Sequence, residues 1–113
     1  MAVASAEVVK LTPDNFDSIV KDPSKTVFVK FFAPWCGHCQ RMAPTWEDLS
    51  TQVGSDVVVA ELDCDAHRDL GQTYGIRGFP TIKLFKKGED KEPVAYQGAR
   101  DIKAFKTFLE NNA

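Results

Sequence analysis

The sequence has few of the features that would point to a specialised architecture. Its 113 residues include only three cysteines, too few for a small scaffold held by disulfides, and the chain is long enough to bury a core without them. The formal net charge of −2 provides no basic surface for nucleic acid or an anionic membrane. There is no apolar run long enough to span a bilayer, no internal repeat and no low-complexity segment. What remains is one domain of ordinary composition, 43% hydrophobic and 27% charged.

The first six residues differ from the rest of the chain. They lack the charged and apolar regions of a signal peptide, yet Ala4-Ser5-Ala6 matches the small-x-small pattern that precedes signal cleavage. Two interpretations stay open: an ordinary tail, or the remnant of a trimmed leader with an added initiator Met. We therefore assign residues 1–6 to a tail or remnant and residues 7–113 to the domain.

Strand and helix patterns alternate along the domain. Thr12 and Asp65 are predicted helix N-caps, and Pro44 is expected to kink the helix that contains it. The predicted strands are 8–11, 26–32, 57–63, 81–85 and 94–96, and the predicted helices are 12–20, 36–53, 65–74 and the segment after Asp101. This order predicts an α/β fold with helices flanking a central mixed β-sheet.

The stretch Trp-Cys-Gly-His-Cys at residues 35–39 combines two thiols with a predicted helix start. A spacing of three residues on one turn holds the two Cα atoms about 5 Å apart, which a disulfide tolerates. Cys36 would face the unpaired N–H groups at the helix start, which favour its thiolate, and a protonated His38 would add positive charge beside it. We assign Cys36 as the attacking sulfur and Cys39, one turn further in, as the resolving sulfur.

With these residues in place, the chain resembles a catalytic, thioredoxin-fold domain of the protein disulfide isomerase family. The dipeptide Gly37-His38 between the cysteines is of the isomerase type, whereas thioredoxins proper usually carry Gly-Pro. The motifs that carry the resemblance occur in the family's order over most of the chain: Phe31-Phe32-Ala33-Pro34-Trp35-Cys36-Gly37-His38-Cys39, Met42-Ala43-Pro44, Tyr74-Gly75-Ile76-Arg77-Gly78-Phe79-Pro80-Thr81 and Tyr96-Gln97-Gly98-Ala99-Arg100.

The resemblance implies roles for five further residues. Pro80 matches the family's cis-proline facing the active site, and Phe79 would lend backbone groups to an extended substrate segment. Trp35, Ile76 and Phe79 would form an apolar rim that receives unfolded chains. Arg100 matches an arginine thought to swing toward the second cysteine and assist its deprotonation. The alternative interpretation is that Arg100 is only a surface charge near a helix.

The resemblance also implies an activity and a setting. It implies an enzyme that forms, reduces and rearranges protein disulfides without a small-molecule cofactor or metal. The expected partners are unfolded or misfolded cysteine-containing proteins, with glutathione or an upstream oxidase for regeneration. We expect a monomeric domain in the endoplasmic reticulum lumen, where disulfides form, with no nucleic-acid or membrane partner. The alternative within this class is a thioredoxin-like disulfide reductant.

One position departs from the family pattern. The family usually carries a buried glutamate six residues before the first cysteine, as proton acceptor for the second, and this chain has Lys30 there. Three interpretations are open: the stem is packed while the ammonium reaches water, the ammonium stabilises the Cys39 thiolate, or a neutral amine acts as the base. The sequence predicts that Lys30→Glu raises turnover in disulfide exchange.

Two other interpretations of the cysteines belong to different classes of protein. Cys36, Cys39, Cys64 and His67 could supply a tetrahedral zinc site, although a long helix and a strand separate the two halves. A substrate-binding module with incidental cysteines would keep its activity after Cys36→Ala. For Cys64 alone we predict structural packing, with a regulatory or intermolecular thiol as the alternative.

Overall fold

The structure is a computed structural model that describes residues 7–112, so the interpretation of residues 1–6 as a tail or remnant lies outside it. The elements follow one another as β1 (Val9–Lys10), α1 (Phe16–Val20), β2 (Thr26–Phe32), α2 (Gly37–Ser50), β3 (Val57–Asp63), α3 (Arg68–Thr73), β4 (Thr81–Phe85), β5 (Val94–Tyr96) and α4 (Ile102–Asn112). The predicted limits of β2, β3, β4 and β5 are confirmed. No helix within residues 7–112 has the length and apolar character to cross a membrane.

The five strands form one mixed sheet in the order β1-β3-β2-β4-β5. Strands β1, β3 and β2 are parallel, whereas β4 and β5 are antiparallel to their neighbours. The central strand β2 pairs Lys30 with Glu61 of β3 and with Ile82 of β4. Because β2 lies inside the sheet, its apolar residues are buried on both faces, and the predicted mixed α/β architecture is confirmed.

Successive residues of β2 point to opposite faces of the sheet. Val27, Val29 and Phe31 pack with Phe16 of α1 in one core cluster. Phe28 packs on the other face with α2 and α4, in a cluster that includes Met42, Trp46, Leu49, Phe105 and Leu109. The sheet is therefore covered by helices on both sides.

The aromatic ring of Phe28 anchors α2 to the centre of the sheet. Its centroid lies 5.0 Å from that of Trp46 in α2 and 5.8 Å from that of Phe105 in α4. Aromatic pairs at these distances add about 0.5–1.5 kcal/mol each beyond the burial of their area. The Trp46 indole N–H also donates to the Ala60 carbonyl of β3 at 2.9 Å. This packing holds the helix whose first turn carries both cysteines.

Helix α1 begins later than the sequence predicted. Thr12 was expected to cap it, but the helix starts at Phe16 with Asn15 as its N-cap. The Thr12 N–H donates to Asn15 Oδ1 at 2.6 Å, and the Asn15 N–H donates to Thr12 Oγ1 at 3.3 Å. Short polar side chains that bond nearby backbone offer the chain a turn in place of a helix, and here the turn forms.

Helix α3 differs from its prediction for the same reason. Asp65 was expected to cap it, but the helix begins at Arg68 with His67 as N-cap. The carboxylate of Asp63 instead accepts the N–H groups of Asp65 at 2.9 Å and Ala66 at 3.0 Å. The turn that follows β3 therefore occupies the residues assigned to the first helical turn.

Candidate active site

Cys36 is the N-cap of α2, at the carboxyl end of the central strand. Its backbone is extended, with φ −83° and ψ 118°, and the helix proper begins at Gly37. The Cys39 N–H donates to Cys36 Sγ at 3.2 Å, so the sulfur takes the place that a serine or aspartate oxygen has in an ordinary cap. Both cysteines are free thiols. The helix itself continues through Pro44 and ends at Ser50, earlier than the predicted Val53.

The two thiols differ in how readily they ionise. Burial opposes ionisation of Cys36, but hydrogen bonds from the Cys39 thiol and from the N–H groups of Cys39 and His38, with the charge of Arg100, hold its pKa below the ordinary value. Burial, followed by the hydrogen bond to Cys36, raises the pKa of Cys39 to about 11. Cys36 therefore loses its proton first.

This difference predicts which thiol reacts with an alkylating agent. We expect iodoacetamide to modify Cys36 first, with a rate that falls as the pH drops through its lowered pKa. Cys39 and Cys64 should react slowly until the pH approaches about 11, because only thiolates attack. Mass spectrometry of quenched samples measures the three rates. Urea-unfolded protein is the control, in which the rates should converge, and equal rates in the folded protein would contradict the assignment.

His38, which lies between the two cysteines, contacts an arginine that no sequence pattern indicates. Arg41 Nη2 lies 2.8 Å from His38 Nδ1, and both side chains are exposed. A guanidinium can only donate, so His38 Nδ1 accepts this hydrogen bond. A Cβ at Gly37 would meet the Arg41 guanidinium at 3.6 Å, an ordinary contact. Sterics alone therefore do not require glycine at position 37.

An apolar surface lies beside Cys36. The Trp35 side chain is 65% exposed, and its ring makes an edge-on contact with Phe79 at 5.7 Å between centroids. Ile76, Phe79 and Pro80 are half-buried, and the Phe79–Pro80 peptide bond is cis. The Cys36 thiol donates to the Phe79 carbonyl at 3.6 Å. The structure thus brings the predicted rim residues Trp35 and Phe79 together next to the first cysteine.

The charges of Arg100 and Lys30 act on different cysteines of the pair. Arg100 is exposed before α4, and its charge helps to lower the pKa of Cys36, whereas the prediction concerned Cys39. The Lys30 side chain is only 4% exposed, and its Nζ lies 3.4 Å from Glu61 Oε1. Its ammonium therefore pairs with a carboxylate and does not reach bulk water, which contradicts the interpretation with the ammonium in water. No pattern in the sequence indicates a role for Glu61.

Cys64 is a buried thiol at the end of β3. It is 6% exposed, and burial, with the charge of Asp63, raises its pKa to about 11. A Cβ added at Gly71 would lie 3.2 Å from its sulfur, so the glycine makes room for the thiol. These contacts support structural packing. Among the residues that the structure describes, no group of three or more His, Cys, Asp or Glu could hold a metal ion, so the four candidate zinc ligands are not gathered.

Comparisons with known proteins agree on one family. A family model described as thioredoxin matches residues 7–111. The protein disulfide-isomerase like 2-2 of Arabidopsis thaliana is 50% identical over 105 residues, which cover 93% of this chain and 23% of that protein. The protein disulfide-isomerase tigA of Aspergillus niger is 43% identical over 111 residues, 96% of this chain and 31% of that protein. The solution structure of the first thioredoxin domain of mouse protein disulfide-isomerase A4 matches with a TM-score of 0.81 at 31% identity, covering 96% of this chain and 77% of that one.

The fold and the site together define a thioredoxin-fold domain with a pair of thiols at the start of a helix. The chain belongs to the thioredoxin family, and the resemblance to protein disulfide isomerases drawn from its motifs is confirmed by these similarities. The chain spans between 23% and 31% of the length of these two curated relatives.

Proposed function

We propose that this domain is a thiol–disulfide oxidoreductase and isomerase that acts on proteins through Cys36 and Cys39. The observation that carries the proposal is the Cys36 sulfur at the helix N-cap, 3.2 Å from the Cys39 N–H. That position favours a thiolate with a second thiol one turn away, which is what reversible disulfide exchange needs. The names of the two curated relatives, both protein disulfide isomerases, support the same activity.

In the oxidative direction the domain starts with a Cys36–Cys39 disulfide. A substrate thiolate attacks Cys36 Sγ, the bond between the two cysteines breaks, and Cys39 leaves with the electron pair. A second substrate thiolate then attacks the substrate sulfur of the mixed disulfide and releases Cys36. The substrate gains a disulfide and the domain is reduced by two electrons. The lowered pKa of Cys36 makes it a good leaving group in this last step.

In the isomerising direction the domain starts reduced. The Cys36 thiolate attacks a wrong substrate disulfide and forms a mixed disulfide, while the other substrate sulfur leaves as a thiolate. The mixed disulfide then has two outcomes. In the first, the disulfides of the substrate rearrange and Cys36 is released. In the second, Cys39 attacks Cys36 Sγ and frees the substrate chain. No small-molecule cofactor enters either direction.

The apolar rim is the proposed contact with substrate. Trp35, Ile76 and Phe79 would pack against unfolded chain segments, and the backbone beside Pro80 would align an extended segment next to Cys36. Such a surface selects exposed apolar side chains, as found in unfolded or misfolded cysteine-containing proteins. Arg100, whose charge favours the Cys36 thiolate, is proposed to assist the exchange steps.

The proposed setting rests on the chemistry of the cysteine pair. A pair that passes its disulfide to substrates works where disulfides form and persist, and we place this domain in the endoplasmic reticulum lumen. Glutathione or an upstream oxidase would reoxidise the pair there. Outside such a compartment the same pair would act mainly as a reductant, which is the alternative function.

The reduction potential of the Cys36–Cys39 pair separates these two functions. We expect a value near −180 mV, as in protein disulfide isomerase, and not near the value of about −270 mV found in thioredoxin. Equilibration in glutathione buffers, followed by alkylation and mass spectrometry, measures it, with Cys64→Ser protein as the control that removes the third thiol. A value near −270 mV would contradict the isomerase function and support the reductant. The gap corresponds to roughly 4 kcal/mol, well outside experimental error.

A further inference from the structure

A hydrogen bond from a tyrosine holds the loop between β5 and α4 against the core. Residues 97–100 are exposed and form neither helix nor strand, and such loops are ordinarily more mobile than the elements they join. Tyr96, just before the loop, packs its ring in the core, with centroids 5.1 Å from Phe105 and 4.9 Å from Phe108. Its hydroxyl donates to the Ala99 carbonyl inside the loop. The loop is therefore bonded to a ring that the core holds in place.

Gly98 leaves the space that this hydrogen bond needs. A Cβ at position 98 would lie 2.7 Å from the Tyr96 hydroxyl oxygen and 2.9 Å from the Cζ that carries it, closer than real contacts of this kind. The end of a mobile side chain could move aside, but the aromatic neighbours of Tyr96 hold its ring. A side chain at position 98 would therefore push the hydroxyl away from the Ala99 carbonyl.

The residue that follows Ala99 is also held from its other side. The Asp101 carboxylate accepts the Ala104 N–H at 2.8 Å, and the Asp101 carbonyl accepts the Phe105 N–H at 3.0 Å. This is the arrangement of a helix N-cap at the start of α4. The backbone of Arg100 is thus fixed between two hydrogen-bonded neighbours, Ala99 before it and Asp101 after it.

The side chain that leaves this fixed backbone carries a charge that acts on the first cysteine. Burial opposes ionisation of Cys36, whereas hydrogen bonds from Cys39 and His38, with the charge of Arg100, hold its pKa below the ordinary value. The energy between two charges depends on the distance between them. How firmly the loop holds residue 100 therefore affects how much thiolate Cys36 carries.

We propose that Tyr96 is a positioning residue for disulfide exchange: its hydroxyl, in the space left by Gly98, holds the loop so that the Arg100 guanidinium favours the Cys36 thiolate. The proposal rests on the proposed function, in which that thiolate attacks a substrate disulfide. In that step a bond forms between Cys36 Sγ and one substrate sulfur, and the substrate disulfide breaks. The other sulfur leaves with the electron pair and takes up a proton from solvent. Tyr96 acts only through Arg100.

Titration of the Cys36 thiol tests this role without any catalysis. The ultraviolet absorbance of the thiolate is measured against pH in protein carrying Cys39→Ser and Cys64→Ser, so that Cys36 is the one thiol. Burial raises the pKa of both tyrosines, so neither phenolate interferes near neutral pH. Tyr96→Phe, which removes the hydroxyl and keeps the ring, should raise the midpoint by about 0.3–0.5 pH unit, or about two- to threefold less thiolate below it.

Two further variants control for the loss of a hydroxyl and for the route by which it is lost. Tyr74→Phe makes the same chemical change in the other core cluster and should leave the midpoint within about 0.1 unit of the parent. Gly98→Ala should raise the midpoint as Tyr96→Phe does, because its Cβ displaces the same hydroxyl. Equal midpoints for Tyr96→Phe and its parent would overturn the proposal. If circular dichroism shows that Gly98→Ala does not fold, Tyr96→Phe decides the test.

An Arg100→Gln background shows whether the hydroxyl acts through the arginine. Arg100→Gln alone should raise the Cys36 midpoint by about 0.5 pH unit, and adding Tyr96→Phe should raise it no further. A second rise of similar size in the double variant would show that the hydroxyl acts on the sulfur by another route, and the positioning role would be wrong. An unchanged midpoint in Arg100→Gln would overturn the proposal as well.

Exchange with hydroxyethyl disulfide is then measured in protein that retains its three cysteines. This disulfide is uncharged, so Arg100 changes the rate through Cys36 and not by attracting the substrate. Tyr96→Phe should slow the reaction about two- to threefold below the Cys36 midpoint and leave it nearly unchanged at high pH, where both proteins are thiolate. Equal slowing at every pH would contradict the positioning role. A parent that titrates as expected but does not react would instead count against the proposed function.

Discussion

Cys36→Ser should abolish disulfide exchange, lowering the reactivation of a scrambled, disulfide-bonded substrate at least about 10³-fold, to the rate without protein. The physical reason is that every proposed step passes through a covalent bond at Cys36 Sγ, and a hydroxyl cannot form it. Serine keeps the size and the N-cap hydrogen bond of the cysteine, so the helix should remain intact. Regain of substrate activity measures the effect, and circular dichroism checks the fold.

The other two cysteines provide matched controls. Cys39→Ser should still attack substrates but should accumulate a mixed disulfide at Cys36, visible as a covalent adduct on a non-reducing gel. Cys64→Ser should retain activity within about twofold, because the proposed mechanism does not use its buried thiol. Activity that survives Cys36→Ser would point to a binding module with incidental cysteines. Complete loss in Cys64→Ser with the fold intact would contradict the structural assignment of that thiol.

Lys30→Glu should destabilise the domain by about 3–5 kcal/mol, the usual cost of breaking a buried ion pair by removing one partner. The substitution places a second carboxylate opposite Glu61 in a site with little water, and like charges there cannot both stay ionised. Part of the loss should disappear as the pH falls and one carboxyl becomes protonated. Urea unfolding at pH 7 and at pH 4 measures the free energy of unfolding directly.

The double variant Lys30→Glu with Glu61→Lys separates the effect of charge on the free energy of unfolding from the effect of packing. It restores opposite charges with their positions exchanged, so most of the lost free energy of unfolding should return. No recovery would show that the shape of Lys30, and not its charge, holds the site together. The sequence predicted a gain in turnover for Lys30→Glu. That gain stays a prediction, and the disulfide-exchange turnover of folded Lys30→Glu protein measures it.

Much of the fold could be predicted from local patterns. The limits of β2 and β3 follow from apolar runs rich in β-branched and aromatic residues, and such runs need no knowledge of their partners. The cysteine pair at the start of α2 also depends only on neighbours in sequence, as does the capping position of Cys36. The predicted starts of α1 and α3 were wrong because side-chain turns at Asn15 and Asp63 compete with helix caps, and they displace the two caps by three and two residues.

The sequence by itself thus determined the fold class, the strands and the pair of thiols, since each is encoded within a few consecutive residues. Only the tertiary structure decided what surrounds that pair. Lys30 and Glu61 are thirty-one positions apart, and their contact depends on the register of β2 against β3, which neither segment encodes alone. The contact of Trp35 with Phe79 depends in the same way on the loop that brings the two rings together. Charge and solvent access at a thiol come from such long-range neighbours, which is why its reactivity is a property of the folded domain.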